Sequence, residues 1–174
     1  MPKVINQLKE TILTATKAII AKEGIDNLTI KKVADSSKIA VGTIYNYYKG
    51  KKELLSALLI EDWLIIYKDI EEKCFEVDDI LTSFEIINDG IATFIIKYEN
   101  LFFSNTSYDS KSSYLEQQNT LRGQVIVLLQ NTNERLNTKI EDFYIPFIAD
   151  SIINNSMRLL PFDNTKIILK KLIS

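Results

Sequence analysis

The chain of 174 residues is 46% hydrophobic and 25% charged, which is the composition of a globular protein with one or two domains. It has no histidine, which excludes histidine-dependent catalytic triads, and one cysteine, Cys74, which excludes an internal disulfide and a multi-cysteine zinc site. The net charge of -2 is unevenly distributed, because residues 1–55 carry ten lysines and five acids, a net +5, whereas residues 56–174 carry a net -7.

The N-terminal third is predicted to form three helices. Apolar residues recur every three or four positions between Ile5 and Ile19, which predicts a first helix that ends at Gly24. Thr29 is a suitable N-cap for the second helix. The second and third helices are predicted over residues 30–36 and 40–47, and the turn between them is Ser37-Lys38-Ile39.

Beyond Gly50 the apolar pattern remains helical. The chain has only five glycines and three prolines, too few for the frequent turns of an all-β fold, so we predict an all-α fold. The polar stretch 104–113 is predicted to be a surface loop, and Pro146 is expected to kink or start a helix. The remaining predicted helices cover residues 51–74 and 79–98, a short piece near 100–106, and residues 113–136, 139–160 and 165–173.

Charged residues are present throughout the first 24 positions, and no later stretch approaches 18 residues without a charge. We therefore expect no signal peptide and no membrane span, and we expect a cytoplasmic protein. No cluster of metal-ligating residues is visible, so we expect neither a metal site nor a cofactor.

The most informative segment is residues 29–55, TIKKVADSSKIAVGTIYNYYKGKKELL. Two short helices joined by a turn of three or four residues are typical of a helix-turn-helix, whose second helix lies in the major groove of DNA. The alternative is an ordinary three-helix subdomain whose lysines only solvate its surface. The lysine excess favours DNA binding, as do three tyrosines within four positions, Tyr45, Tyr47 and Tyr48.

This segment resembles the N-terminal DNA-binding domain of the TetR family of transcriptional regulators. The resemblance covers about residues 5–58 and rests on Val33-Ala34, on Gly42-Thr43-Ile44-Tyr45-Asn46-Tyr47-Tyr48-Lys49 and on Lys51-Lys52-Glu53-Leu54. Two positions depart from the family pattern, because Ser37-Lys38 replaces the usual Ala-Gly of the turn and Ala40 replaces the usual Ser cap. A left-handed backbone at Lys38 is expected to cost about 1 kcal/mol.

The resemblance implies that the helix-turn-helix, over residues 1–50, contacts DNA. We expect the hydroxyls of Thr43 and Tyr45 to reach phosphates. Val41, Thr43 and Asn46 are expected to lie near base edges. No arginine precedes Arg122, which favours an operator rich in A·T pairs that is read partly through its shape. The predicted DNA-contacting residues are Thr29, Ala40, Val41, Gly42, Thr43, Tyr45, Asn46, Tyr47, Lys49, Lys51 and Lys52.

The resemblance also implies that residues 51–174 form a helical domain for ligand binding and dimerisation. A pocket for a small hydrophobic or cationic effector is predicted there, the alternative being that its aromatic residues form an ordinary core. Cys74 is either a redox sensor or a small core residue. The predicted pocket residues are Trp63, Tyr67, Phe94, Tyr98, Phe102, Phe103 and Tyr114, and the carboxylates considered for a cationic ligand are Asp69, Glu72, Glu85 and Glu99.

A homodimer formed through the last two helices of each chain is a further implication of the resemblance. Apolar residues cover more of these helices than one packed face requires, as at Ile152-Ile153 and at 167–169. The alternative is an ordinary pair of core helices. The predicted interface residues are Ile145, Ile148, Ile152, Leu159, Ile168 and Leu172.

These features together favour a dimeric transcriptional regulator, a repressor that binds a palindromic operator in double-stranded DNA and is released by a ligand. A second class is a DNA-binding co-regulator or architectural protein that is controlled by a protein partner and has no small-molecule inducer. An enzyme is the third class, and it is disfavoured because no histidine, no glycine-rich phosphate loop and no convincing pair of nucleophile and base is present.

Overall fold

A computed structural model describes the backbone of residues 2–99 and 111–173 and the side chains of residues 7–99 and 119–173. These ranges contain helices and no strand, which confirms the predicted all-α fold. The α-helices are α1 (Pro2–Glu23), α2 (Ile30–Ser37), α3 (Val41–Tyr47), α4 (Lys51–Glu76), α5 (Ile80–Lys97), α6 (Lys111–Leu136), α7 (Ile145–Met157) and α8 (Asp163–Leu172). The described helices include none that combines the length and the apolar character needed to cross a bilayer.

The chain divides into two compact units, Met1–Leu64 and Ile65–Ser174. Helix α4 begins in the first unit and ends in the second. The boundary predicted at residue 50 coincides with the start of α4 and lies within the first unit.

The first unit is built as its local sequence signals predict. Gly24 ends α1 with a φ of +80°, and its amide donates to the carbonyl oxygen of Ile20 at 3.0 Å. The Thr29 hydroxyl oxygen accepts the amide hydrogen of Lys32 at 3.2 Å, which is the expected N-cap of α2. Helix α2 packs against α1 and α3. The buried apolar residues of this unit include Ile12, Ile19, Leu28, Ile30, Val33, Ile44, Leu54 and Leu58.

An ion pair connects α1 to α4 within the first unit. The Nζ of Lys17 lies 2.6 Å from Glu61 Oε2 and 2.8 Å from Oδ1 of Asp62, whose side chain is only 3% exposed. Burial by itself lowers the pKa of Lys17, but the hydrogen bonds and charges of Asp62 and Glu61 outweigh it and raise that pKa. Lys17 is half-buried, and its charge is neutralised by Glu61 and Asp62.

The second unit is a helical bundle centred on α5 and α7. These two helices pack against each other, α6 packs against both, and α8 lies against both as well. Side chains from the facing helices form the core and are almost fully buried, as expected for a periodic apolar stripe. The core includes Phe84, Ile87, Ile91, Ile145, Ile148 and Ile152.

A buried polar network links α5 to α7 and α8. The Nδ2 of Asn155 donates to Oδ1 of Asn88 at 2.9 Å and to the carbonyl oxygen of Leu160 at 2.9 Å. The Thr165 hydroxyl donates to Asn155 Oδ1 at 2.8 Å, and the Ser156 hydroxyl lies 3.1 Å from the Asn88 carbonyl oxygen. These bonds hold the turn between α7 and α8 against α5, because they satisfy polar groups that are shielded from water.

Two predicted boundaries in the second unit are wrong. Residues 111–113, predicted as the end of a loop, are helical, while the rest of that loop and the predicted piece near 100–106 lie outside the described residues. The helix predicted over 139–160 is shorter, because a 3-10 turn at Asp142–Tyr144 precedes α7 and Pro146 lies in the first turn of α7. At the C-terminal end, α7 stops at Met157, and Leu159 adopts a φ of +51°, which is incompatible with a continued helix.

Helices α4 and α5 approach each other closely at Gly90. A Cβ added there would lie 2.3 Å from Cδ1 and 2.4 Å from Cγ1 of Ile70, whose side chain is 2% exposed. We expect Gly90→Ala to lower the free energy of unfolding by about 1–3 kcal/mol, because the Ile70 side chain must leave a well-packed position. Urea unfolding at one protein concentration measures this change.

Gly123→Ala is the matched control for Gly90→Ala. A Cβ at Gly123 would have nothing within 4 Å, and the residue lies inside α6. Since alanine favours a helix interior by about 0.8–1 kcal/mol over glycine, this variant is expected to be more stable than the parent protein. Equal stabilisation of both variants would show that α4 and α5 do not meet closely at Gly90.

Candidate nucleic-acid interface

The turn between α2 and α3 places a lysine in a backbone conformation that favours glycine. Lys38 is the C-cap of α2 and adopts the left-handed conformation with φ 59° and ψ 26°, as the comparison with the family's usual glycine suggested. The Ser37 hydroxyl oxygen accepts the Ile39 amide hydrogen at 3.4 Å. Ala40 is the N-cap of α3 and supplies no side-chain hydrogen bond, so α3 begins without a polar cap.

Helix α3 has one buried residue and one exposed face. Ile44 is 0% exposed and anchors the helix in the first unit. Val41 and Tyr45 are spaced four residues apart, as are Gly42 and Asn46, so these four positions lie on one face, and all four are exposed. A Cβ at Gly42 would meet nothing within 4 Å, so no contact within the described part of the chain requires a glycine there. The structure thus brings four predicted DNA-contacting residues together on one accessible face, which we call the α3 face.

The other polar candidates lie at the edges of the α3 face or on neighbouring turns. Thr43 and Tyr47 are half-buried, and Ala40 is exposed. Thr29 is exposed, but its hydroxyl oxygen already serves as the cap of α2. Tyr48 is 5% exposed and belongs to the core, so only Tyr45 and Tyr47 of the three tyrosines leave ring surface for DNA. Burial, together with the charges of Glu61 and Glu53, raises the pKa of the Tyr48 phenol.

The lysines of the first unit separate into paired and unpaired groups. Lys32 Nζ lies 2.6 Å from Glu23 Oε2, so its charge is neutralised as that of Lys17 is. The hydrogen bond and charge of Lys32 in turn lower the pKa of Glu23. Lysines that are exposed and form no ion pair within the described part of the chain are Lys9, Lys22, Lys31, Lys38 and Lys49, and the last three lie in or beside the helix-turn-helix.

The start of α4 is stabilised by a carboxylate. Glu53 Oε2 accepts the backbone amide hydrogen of Lys49 at 2.7 Å. The side chain of Lys49 is exposed to solvent. Lys51 Nζ donates to the carbonyl oxygen of Asp26 at 3.3 Å, and Lys52 is exposed. The predicted lysines therefore lie at the N-terminal end of α4, a favourable position for a phosphate.

The predicted pocket residues that the structure describes are buried or half-buried. Trp63, Phe94 and Tyr98 are buried, and Tyr67 is half-buried. The rings of Phe94 and Tyr98 lie 5.3 Å apart at 61°, an edge-to-face arrangement typical of core packing. The side chains of the remaining candidates, Phe102, Phe103 and Tyr114, lie outside the described residues.

An open cleft of about 560 Å³ lies between the end of α4 and the second half of α6. None of the described aromatic candidates lines this cleft, whereas Glu72, one of the carboxylates considered for a cationic ligand, does. Phe75 is 72% exposed there, and Arg135 lies 5.5 Å from its ring. The residues that line the cleft are Glu71, Glu72, Cys74, Phe75, Glu76, Leu128, Asn131, Thr132 and Arg135.

Cys74 is a core residue rather than a reactive thiol. Its side chain is 1% exposed, and the Sγ lies 3.7 Å from the Ser83 carbonyl oxygen. Burial raises the pKa of the thiol to about 11, although the Arg135 charge and the contact with Ser83 lower it in part. The reactive thiolate form is therefore scarce at neutral pH. The structure favours the second of the two interpretations of Cys74.

The predicted dimer interface separates into core and surface residues. Ile145, Ile148 and Ile152 are at most 2% exposed in the single chain, so they have no surface left for a partner and their assignment is corrected to the core. Leu159 and Ile168 are exposed, and Leu172 is half-buried. Ile167, part of the apolar stretch 167–169, is exposed as well. Three exposed apolar residues near or within α7 and α8 were missed, Phe143, Phe147 and Leu160.

The first unit is similar in sequence to known proteins, and the chain is similar to known proteins in fold. Residues 12–58 match the family described as "Bacterial regulatory proteins, tetR family". An "Uncharacterized HTH-type transcriptional regulator" from Haemophilus influenzae is 42% identical over 55 residues, which are 32% of this chain and 29% of that protein. The "HTH-type transcriptional repressor KstR2" from Mycobacterium tuberculosis is 25% identical over 148 residues, 80% of this chain and 70% of that one.

The fold is also found in a solved structure. RolR, crystallised in complex with resorcinol, has a TM-score of 0.65 and 17% identity to this chain, and the match covers 91% of this chain and 82% of RolR. Identity at this level indicates a shared fold and does not extend the bound ligand to this chain.

Proposed function

Since the chain belongs to the TetR family of bacterial regulatory proteins, we propose that it is a transcriptional repressor that binds a palindromic DNA operator as a homodimer. The observation that carries the proposal is the α3 face, where Val41, Gly42, Tyr45 and Asn46 lie together and exposed on a helix-turn-helix. The second helix of such a motif lies in the major groove, with its first residues against the base edges.

The residues of the α3 face suit different parts of the DNA, either the phosphates or the base edges. The Tyr45 side chain is 51% exposed, and its hydroxyl suits a phosphate oxygen. Val41 offers an apolar contact for a thymine methyl group, and the Asn46 amide suits adenine. Gly42 leaves room for the DNA to approach the helix backbone. These chemistries agree with an operator rich in A·T pairs.

The proposed homodimer uses a corrected set of residues on α7, on α8 and in the turn between them. Phe147, Leu159, Leu160, Ile167 and Ile168 are between 43% and 62% exposed, which is unusual for so many large apolar side chains in one stretch of chain. We propose that a second copy of the chain covers them through a two-fold contact. A two-fold protein then requires an operator with two-fold symmetry.

We further propose that a small hydrophobic or cationic ligand releases the protein from DNA. The proposal is supported by the fold shared with RolR, whose structure contains resorcinol. A ligand releases DNA only if it binds more tightly to the arrangement that does not fit the operator, and each tenfold loss of operator affinity requires about 1.4 kcal/mol of that preference. A regulator controlled by a protein partner shows no such coupling to small molecules.

Selection of random duplex DNA by the purified protein tests the function directly. We expect an inverted repeat, and we expect the logarithm of the binding constant to fall steeply with the logarithm of salt concentration. Enrichment of no sequence, or of a motif without two-fold symmetry, would contradict the proposal. A G·C-rich consensus would contradict the A·T preference alone.

Two substitutions on the α3 face are expected to act differently. Tyr45→Phe removes a hydrogen bond to phosphate and is expected to weaken binding to every sequence by about five- to tenfold, which corresponds to about 1 kcal/mol. Asn46→Ala removes a base contact and is expected to change which sequence is preferred. Repeating the selection with each variant measures both effects. The same preferred sequence for Asn46→Ala and the parent protein would exclude Asn46 from base recognition.

A further inference from the structure

Three residues other than glycine have a positive φ in the described part of the chain, Lys38 at 59°, Asn137 at 49° and Leu159 at 51°. This conformation costs free energy for any residue with a Cβ, because the Cβ approaches the carbonyl oxygen. Asparagine tolerates it because its short polar side chain can form local hydrogen bonds, whereas lysine and leucine lack that compensation. The chain uses glycine for the same purpose at the end of α1, where Gly24 has a φ of +80°. If the turn were the only requirement at position 38, glycine would therefore be more favourable there than lysine.

The strain at Lys38 is not offset by a contact of its side chain. Lys38 is exposed, and within the described residues its side chain has no hydrogen bond and no ion pair. Lys32, six residues earlier, shows the contrast, because its ammonium group lies 2.6 Å from Glu23. Strained positions that the fold does not require are concentrated at functional sites.

The position of Lys38 indicates what its charge contacts. Only Ile39 and Ala40 separate it from Val41, the first residue of α3 and of the α3 face. When the recognition helix enters the major groove, the first helix of the motif crosses the sugar-phosphate backbone, and Lys38 is the C-cap of that helix. Lysine binds phosphate as a flexible point charge.

We propose that Lys38 contacts a DNA phosphate next to the recognition helix, and that the left-handed turn is retained because it directs this ammonium group to the DNA. The proposal rests on the proposed function and adds to it a positioning residue in the turn. A phosphate contact is independent of base sequence, so it contributes to binding of operator and random duplex alike.

Lys38→Gly separates a DNA contact from a structural role. Because glycine relieves the backbone strain, we expect the melting temperature to stay the same or to rise by up to about 3 °C. We expect binding to the selected operator and to random-sequence duplex to weaken by about five- to tenfold at 0.1 M salt. The slope of log affinity against log salt is expected to decrease by about 2 for a dimer, one phosphate in each half-site.

Two further variants complete the test. Lys38→Gln keeps the strained backbone and removes the charge, so it is expected to lose the same affinity without a gain in melting temperature. Asn137→Gly changes another left-handed residue, one outside the helix-turn-helix, and is expected to bind DNA as the parent protein does.

The outcomes distinguish this inference from the proposed function. If the parent protein selects no operator, the proposed function fails and the role of Lys38 fails with it. If the parent protein binds and Lys38→Gln keeps both its affinity and its salt slope, only the inference about Lys38 is overturned. This second comparison also decides the matter if Lys38→Gly is poorly folded.

Discussion

Replacing Phe147 and Ile168 together by aspartate is expected to convert the protein from a dimer to a monomer and to abolish operator binding at micromolar concentrations. The two side chains are 56% and 62% exposed and lie on α7 and α8. Each appears twice in a two-fold contact, and burying such side chains contributes about 1–2 kcal/mol apiece. Their loss weakens the dimer by at least 10³-fold, and the buried carboxylates weaken it further.

Sedimentation equilibrium and operator titration measure the two effects of Phe147→Asp/Ile168→Asp. The matched control is Phe75→Asp/Ile96→Asp, which introduces the same chemistry at exposed positions of α4 and α5. We expect the control to remain dimeric. If the first variant stays dimeric, α7 and α8 do not form the interface. If it is monomeric and binds the operator with unchanged affinity, the protein does not act on DNA as a dimer.

The loss of DNA binding follows from the symmetry of the complex. Each protomer brings one α3 face, and a linked second face binds at a high effective concentration once the first has bound. A monomer has only one recognition helix and loses this gain. Under this proposal, residues at the dimer interface affect operator affinity without contacting DNA, which is also how a ligand in the second unit is proposed to act.

The first unit could be predicted from sequence because its signals are local. Gly24 and Thr29 act within one turn of their own positions, as a left-handed cap and an N-cap, and no distant residue is needed to interpret them. The spacing of Val41, Tyr45 and Asn46 likewise places them on one face once α3 is recognised.

The sequence did not show which lysines are neutralised. In the sequence, Lys17 and Lys32 count toward the positive charge just as Lys38 does. The structure pairs Lys17 with Glu61, 44 residues away, and Lys32 with Glu23, nine residues away. Tyr48 shows the same limit, since its burial depends on what packs over α3. Counts of lysines and tyrosines therefore overestimated how many of these side chains in the first unit are free to contact DNA.

Periodicity in the second unit showed which residues share a face and not what covers that face. Ile145, Ile148 and Ile152 follow the helical repeat, and the structure places them in the core instead of at an interface. The end of α7 was also missed, because a leucine at position 159 has no local preference for a positive φ. The bonds that hold that turn come from Asn155, and their partners are defined only in the folded chain.

The end of α7 is a Schellman motif without its usual glycine. The amide of Leu160 donates to the carbonyl oxygen of Asn155 at 3.3 Å, and that of Leu159 donates to Ser156 at 3.0 Å. Leu159 occupies the left-handed position where glycine is common. The side chain of Asn155 adds a second bond to Leu160 and one from Thr165, so it connects the strained turn to α8.

Asn155→Leu is therefore expected to lower the free energy of unfolding by about 2–4 kcal/mol. Leucine has a similar volume but no polar atoms, so the Leu160 carbonyl and the Thr165 hydroxyl lose a partner, and Asn88 retains only the Ser156 hydroxyl on its side-chain oxygen. The effect exceeds that of a single surface hydrogen bond because Asn155 is only 7% exposed. Urea unfolding at one protein concentration measures it, since the proposed dimerisation would make stability depend on concentration.

Asn154→Leu is the control for Asn155→Leu, because it makes the same change one residue earlier on an exposed side of α7. Leucine favours a helix slightly more than asparagine does, so this variant is expected to unfold within about 0.5 kcal/mol of the parent protein. Equal unfolding midpoints for the two variants would show that the network does not hold α7 and α8 together. A low midpoint for Asn155→Leu alone assigns the stability of the α7–α8 turn to these buried hydrogen bonds.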